Sequence, residues 1–310
     1  MHWKSIIVIG LALMSQTASA QWGYIDKTGR TVIGPRFSSA GCFTDGVAAV
    51  KLGDEWLWID SSGAVAVRPQ AVASEIRGFS GGLAAVCVDK KWGFVDKTGA
   101  LAIAPKYEHA QGFGAGRAAV CYDGKWGYID KTGAWVIPAQ YKSAWSFTDG
   151  LATVMIDTDY CCIDVSANVV IRSKGMLAGF SEGLAPAWNA KRKCGFINKS
   201  GKFVIAPQWD SAGRFSDGLA VVANELKSKS TEGDSSGSRV APQEMMYIDK
   251  SGNDIFGKKW DHADPFSEGL AAVGKDGNYG YIDKNGNYVI EPKLGPAFAF
   301  SEGLAPVRSR

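Results

Sequence analysis

One phrase returns along this chain at a nearly fixed interval, and that return constrains the fold more than any other feature. "WGYID" begins at Trp22 and Trp126 and "WGFVD" at Trp92, with weaker copies from Trp56, Tyr160, Cys194, Met245 and Tyr279. The steps between these starts are 34, 36, 34, 34, 34, 51 and 34 residues. A second phrase, built on Phe-Ser/Thr-x-Gly-Leu-Ala, keeps pace from Phe43, Phe79, Phe113, Phe147, Phe180, Phe215, Phe266 and Phe300. Eight units therefore fill residues 21–310. Repeats of this length bury their apolar faces on neighbouring units, so a fold organised around one central core is excluded.

Each unit reads as β-structure. An apolar run such as "RAAVCY" leads into Asp123-Gly124, a pair suited to a two-residue hairpin whose central residues both need φ > 0. "WGYID" follows, and period-two alternation sets Trp126 and Tyr128 on one face, Gly127 and Ile129 on the other. Asp130-Lys131-Thr132-Gly133 fits a type I turn, with Asp first and Gly last. "WVI", Trp135 to Ile137, makes a third strand. The rest of a unit places Tyr107, Ala110 and Phe113 three apart, which predicts a turn-like or short helical connector. The 38 glycines and many aromatics agree with short strands and tight turns.

The phrases "WGYIDKTG", "WGFVDKTG" and "GYIDKNG" resemble the WG-repeat family (also called KWG repeats) of bacterial proteins. The resemblance spans residues 22–310 and implies an all-β repeat protein used as a binding or scaffold module, with no catalytic residues to transfer. Units five to seven depart from the pattern at Tyr160-Cys161-Cys162, Cys194 and Met245-Met246. Two architectures fit a tandem array of eight three-stranded meanders. Propeller blades carry four strands and ~40–50 residues, so shorter three-stranded units favour an open, superhelical stack. The alternative is a closed, eight-bladed β-propeller-like ring, completed by "GLAPVRSR" pairing beside Trp22.

Two segments stand outside the repeat. Residues 1–20 combine Lys4, the apolar run Ile6 to Met14 and Ala18-Ser19-Ala20, the pattern of a cleaved secretory signal peptide. Nine apolar residues are too few to span a bilayer, which needs ~20, so no membrane span is expected after cleavage. The expected location is periplasmic or secreted. The long step of 51 places an insert at residues 225–243, rich in Ser, Gly and Lys without apolar periodicity, expected to be a flexible loop.

The chemistry-bearing residues mostly dissolve into the repeat. "GFSGG" and "GFSEG" match a nucleophile elbow, yet Ser80 and Ser181 occupy a slot that every unit fills with Ser, Thr or Gly. His109 and His262 share a slot held by Ser39, Ser143 and Ser211 elsewhere, which suits a hydrogen-bonding connector better than a general base. The repeated acids Asp26, Asp60, Asp96, Asp130, Asp164, Asp249 and Asp283, with Asn198, offer one carboxylate per turn, too few for calcium. They are expected to accept backbone N–H groups in their own turns. No catalytic, metal or cofactor site is assigned. Among six cysteines, Cys87 and Cys121 hold equivalent positions in successive units and are a possible disulfide in an oxidising compartment.

Without Lys4 the chain carries 33 basic and 31 acidic residues, a balance that argues against a nucleic-acid partner. The expected function is an exported, non-enzymatic module binding a protein partner. A glycan- or cell-wall-binding protein with exposed aromatics is the alternative. Trp145 and Trp188 lie outside the repeated positions and are the candidate exposed contacts.

Overall fold

The computed structural model describes residues 21–225 and 243–310. The expected signal segment, 1–20, lies outside the described residues, as does the expected insert apart from its end residues 225 and 243. The described chain forms eight small antiparallel sheets arranged as the blades of a closed β-propeller. The third blade shows the plan: strands β1 (His109–Gly114), β2 (Arg117–Tyr122), β3 (Lys125–Ile129) and β4 (Trp135–Tyr141) pair in sequence order. The first, second, fourth, fifth and seventh blades occupy residues 39–67, 75–107, 143–173, 177–209 and 262–294, and the sixth is built from 211–225 and 243–260. The eighth joins both ends of the described chain, with 22–37 beside 296–308.

The expected open stack is overturned by this closure. Trp22–Asp26 pairs residue for residue with Leu304–Arg308, from Trp22 opposite Arg308 to Asp26 opposite Leu304. The supposed connector is the missing strand: five of the sheets have four strands, and in the fifth, sixth and eighth blades the fourth position is held by a single bridge, Leu177–Ala187, Met245–Trp260 and Ala297–Val307. Its three-residue spacing is a β-bulge. Ala110 opposes Val120 and Phe113 opposes Ala118, so three steps on β1 match two on β2 and keep both apolar side chains on one face. The same bulge separates Ala40 from Phe43 and Ile76 from Phe79.

The glycine of the repeated phrase admits a second bulge. Trp126 opposes Tyr141 and Tyr128 opposes Ile137, so β4 carries extra residues across Gly127. A Cβ on Gly127 would stand 2.6 Å from the Ile137 carbonyl oxygen and 2.7 Å from the Ala139 nitrogen, closer than any side chain tolerates. That outermost strand holds Pro138, as its counterparts hold Pro35, Pro105, Pro207 and Pro292. Proline and a bulge together blunt an unpaired sheet edge.

The apolar core lies between blades. Tyr128 and Ile137 of the third blade pack with Ala144, Phe147 and Val154 of the fourth, while Ile129 joins the second blade's Phe94 and Ile103. Each fully buried large side chain contributes about 1.5–3 kcal/mol. Polar ties cross the same interfaces. The Tyr128 hydroxyl donates to the Trp145 carbonyl at 2.8 Å, and Tyr24, Tyr247 and Tyr281 repeat the bond to Gly41, Asp264 and Phe298.

Candidate functional site

Adjacent antiparallel strands reverse at alternate ends, so each blade sends its first and third turns to one face of the disc. Its middle hairpin and its link to the next blade go to the other face. On this second face a cleft of about 1020 Å³ opens across the fifth and sixth blades, lined by residues that include Lys174, Met176, Trp188, Arg192, Asp210 and Glu225. It adjoins a smaller cavity of about 180 Å³ that Trp145, Tyr160, Leu177 and Arg214 line together with Met176 and Trp188. Both candidate aromatics therefore reach one site.

Local chemistry fixes this cleft. The Met176 carbonyl accepts the Trp188 N–H at 2.9 Å, tying the link between blades to the second strand of the fifth blade. Asn189 turns the chain back: its side-chain oxygen accepts the N–H groups of Lys191 at 2.9 Å and Lys193 at 3.0 Å. The Trp188 indole N–H donates to the Asp210 carbonyl at 3.1 Å, which holds the ring against the cleft wall. The Asp210 carboxylate pairs with Lys193 at 2.6 Å and accepts the Glu225 N–H at 3.0 Å. Those bonds, the Lys193 contact first, hold its carboxyl below the usual range. Asp210 is thereby neutralised, while Lys174, Lys191, Arg192 and Arg214 stand exposed at the rim.

Trp145 is 38 % exposed and its ring lies 6.2 Å from that of Tyr160, tilted by 31°. Gly179 leaves room beside it: a Cβ there would meet the Arg214 guanidinium carbon at 3.5 Å and Thr148 Oγ1 at 3.0 Å. Trp188 is half-buried. Met176 and Arg214 were not legible as site residues; for Trp145 a signal existed. The slot two before the repeated Phe reads Gly41, Arg77, Gln111, Trp145, Ala178, Gly213, Asp264 and Phe298, the least regular position in a regular repeat. Several of its side chains meet the ring that opens the repeated phrase. Arg77 lies over Trp92 at 4.9 Å, and Phe298 stacks on Trp22 at 4.9 Å.

Other sequence candidates resolve differently. Ser80 and Ser181 donate their hydroxyls to the Phe113 and Phe215 carbonyls of the following blade, at 2.6 and 2.7 Å, and serve as inter-blade ties. His109 stacks on Trp126 with rings 6.1 Å apart and 6° from parallel. His262 packs on Tyr279 and reaches Asp264 at 3.1 Å, a bond that raises the imidazole above its ordinary value. The turn acids fold onto themselves: Asp130 Oδ1 accepts the Thr132 N–H at 2.8 Å, the Thr132 hydroxyl at 2.6 Å and the Ala134 N–H at 3.1 Å. Asn198 makes the same three bonds without a charge.

Cys87 and Cys121 are separate, buried thiols, not a disulfide. The strands that carry them, Leu83–Val88 and Arg117–Tyr122, belong to different sheets and do not pair with each other. The Cys121 thiol instead donates to the Glu108 carboxylate at 3.3 Å. Burial and that contact push it up to about 11.

No curated protein matches this chain at a significant level. Among solved structures, the crystal structure of the eukaryotic initiation factor aligns with a TM-score of 0.58 at 11% identity, covering 90% of this chain and 85% of that one. The crystal structure of Saccharomyces cerevisiae Sqt1 aligns at 0.51 and 12%, covering 94% and 99%. KlHsv2 with loop 6CD replaced by a Gly-Ser linker gives 0.53 and 7%, covering 80% and 92%. At such identities the likeness establishes the propeller fold alone. A model of the WG containing repeat matches residues 22–56, 74–92, 92–126, 126–157, 195–225, 245–279 and 279–310. Its matches leave out 158–194, where Cys161-Cys162 stand in place of Gly-Tyr, yet that stretch still supplies strands to the ring. The chain belongs to the WG-containing-repeat family.

Proposed function

We propose that this chain is a non-enzymatic binding module that holds a segment of a partner protein in the cleft of the fourth to sixth blades, acting after export in the periplasm or outside the cell. The observation that carries this reading is the convergence of Trp145 and Trp188 on one cavity that Met176 and Leu177 also line. Aromatic anchors beside flexible aliphatic side chains suit a protein surface. A glycan-binding site would favour a flat aromatic platform, and the 31° tilt between Trp145 and Tyr160 does not supply one. The expected address rests on residues 1–20, whose pattern is that of a signal peptide.

Affinity capture from an envelope extract tests the reading, with the wild type compared with Trp145→Ala, Trp188→Ala and Met176→Glu. Met176 is 46 % exposed, so its substitution leaves the core intact. The expected result is a protease-sensitive ligand retained by the wild type and lost by all three variants. Retention by the variants removes the cleft from consideration. Binding of soluble cell-wall oligosaccharides with quenching of Trp145 fluorescence would favour the glycan alternative.

A further inference from the structure

The face opposite the cleft carries a ring of turn-to-turn bonds that is interrupted at two successive places. In each blade the hairpin after the first strand presents a two-residue turn ending in glycine. At six junctions the acidic residue of one turn accepts the glycine N–H of the next blade's turn. Asp45 receives Gly82 at 2.9 Å, Asp149 Gly183 at 2.8 Å, Glu182 Gly218 at 3.2 Å and Asp217 Gly269 at 2.7 Å. Glu268 receives Gly303 at 3.1 Å, and Glu302 closes the circle with Gly46 at 3.1 Å. Lysines from the following blade finish five of these junctions. Lys97, Lys199, Lys250, Lys284 and Lys27 donate to the backbone carbonyls of Asp45, Asp149, Glu182, Asp217 and Glu268.

The second and third blades break the series. Gly81 and Ala115 stand where the other turns carry Asp or Glu. Among the described residues, the N–H groups of Gly116 and Gly150 then have no acceptor. Lys131, the counterpart of the five engaged lysines, has no hydrogen-bond or ion-pair partner among the described residues either; its Nζ stands 3.4 Å from where a Cβ on Gly81 would be. At the next junction Arg117 bonds the Val165 carbonyl at 2.5 Å, and its guanidinium carbon lies 5.5 Å from the centre of the Phe147 ring, two residues before Asp149. The loss of the carboxylate and the idleness of the lysine coincide at the same junction.

We propose that these two junctions bind carboxylates supplied from outside the chain, the acidic side chains of a protein segment. One carboxylate would take the Gly116 N–H and Lys131, and a second the Gly150 N–H beside Arg117. The complete junctions display the same chemistry satisfied from within: in all six a carboxylate accepts the glycine N–H, and at two of them, Glu182 with Lys250 and Glu268 with Lys27, the lysine also reaches that carboxylate at 3.0 Å; charge-assisted bonds of this kind are the stronger class. Two such positions in adjacent blades select a segment with closely spaced acids. This surface is distinct from the cleft and does not depend on it.

Titration of the isotopically labelled protein with hexaglutamate, followed through the backbone amides, tests the assignment. The Gly116 and Gly150 amides should shift while Gly46, Gly183, Gly218, Gly269 and Gly303 stay in place, and hexaglutamine should move none of them. Lys131→Gln should weaken the response at Gly116 at least tenfold. Ala115→Asp with Gly81→Asp should abolish it by filling both positions from within; Ala115 has φ 50°, the backbone of Asp45 at φ 51°, so the fold accepts the change. Shifts spread over all turn glycines, or unchanged in the doubly acidic variant, overturn the proposal. A response to acetate equal to that of hexaglutamate at the same carboxylate concentration overturns the protein segment as the occupant.

Discussion

Asp26 stands opposite Leu304 in an antiparallel pair, so a turn near one end of the described chain is held by a strand at the other. Truncation after Gly303 removes Leu304–Arg308 and leaves Trp22–Asp26 with a bare edge. The expected outcome is loss of cooperative thermal unfolding, read by circular dichroism. The intact chain should scatter as a compact particle, with a radius of gyration near ~19 Å by globular scaling.

The bond from Tyr128 to the Trp145 carbonyl ties the third blade to the fourth within a buried interface. Burial pushes the phenol above its ordinary value, so it is protonated and a donor at neutral pH. Tyr128→Phe should cost about 1 kcal/mol, seen as a lower midpoint in urea with an unchanged slope. The second blade supplies its own comparison, because Phe94 already occupies that slot and makes no such bond.

Acid should loosen the turns before it reaches the core. The Thr132 hydroxyl, then the backbone N–H groups, hold the Asp130 carboxyl below its ordinary value, and threonine does the same for Asp26 and Asp96. A depressed folded value means that the contribution is fully present above the unfolded carboxylate value of ~3.9 and is lost as pH falls through the lower folded value. Asp130→Asn should flatten the acid limb of the stability curve while changing neutral stability little, since Asn198 builds the same turn with an amide.

The thiols should be unreactive in the folded protein. Cys87, Cys121, Cys161, Cys162 and Cys194 are buried, and desolvation raises Cys162 to about 11 and Cys194 to about 12. Iodoacetamide at neutral pH should leave these five unmodified until denaturant is added, because the thiolate is the reacting form. Peptide mapping without reduction should return Cys87 and Cys121 as free thiols.

Local chemistry was legible where a residue acts within its own unit. The Asp-Gly hairpin at 123–124, the self-capped Asp130 turn and the need for glycine at 127 all follow from short-range rules. The first strand was missed because the bulge between Ala110 and Phe113 breaks period two, and three-residue spacing then imitates a helical turn. With that strand lost, the units looked too short to be blades, and the ring followed it. Trp145 and Trp188 stood out as aromatics off the repeat, but their meeting at one cavity depends on blade packing that no single unit encodes. Cys87 and Cys121 failed for a related reason: equivalence along the chain was read as contact, whereas in a ring it fixes them one blade apart.

Closure by strands drawn from both ends makes the number of units part of the fold itself. An open array can lose or gain a unit at its tip and leave the others undisturbed. Here the Gly23–Val307 register forms only when the intervening blades turn the chain through one full circle. Removing a unit would change the angle at every remaining interface at once, including those without acidic turns at Gly81 and Ala115. Evolution of this chain by whole-unit duplication or deletion is therefore constrained to occur together with repacking around the entire circumference, whereas variation within a single blade, such as Cys161-Cys162, carries no such penalty.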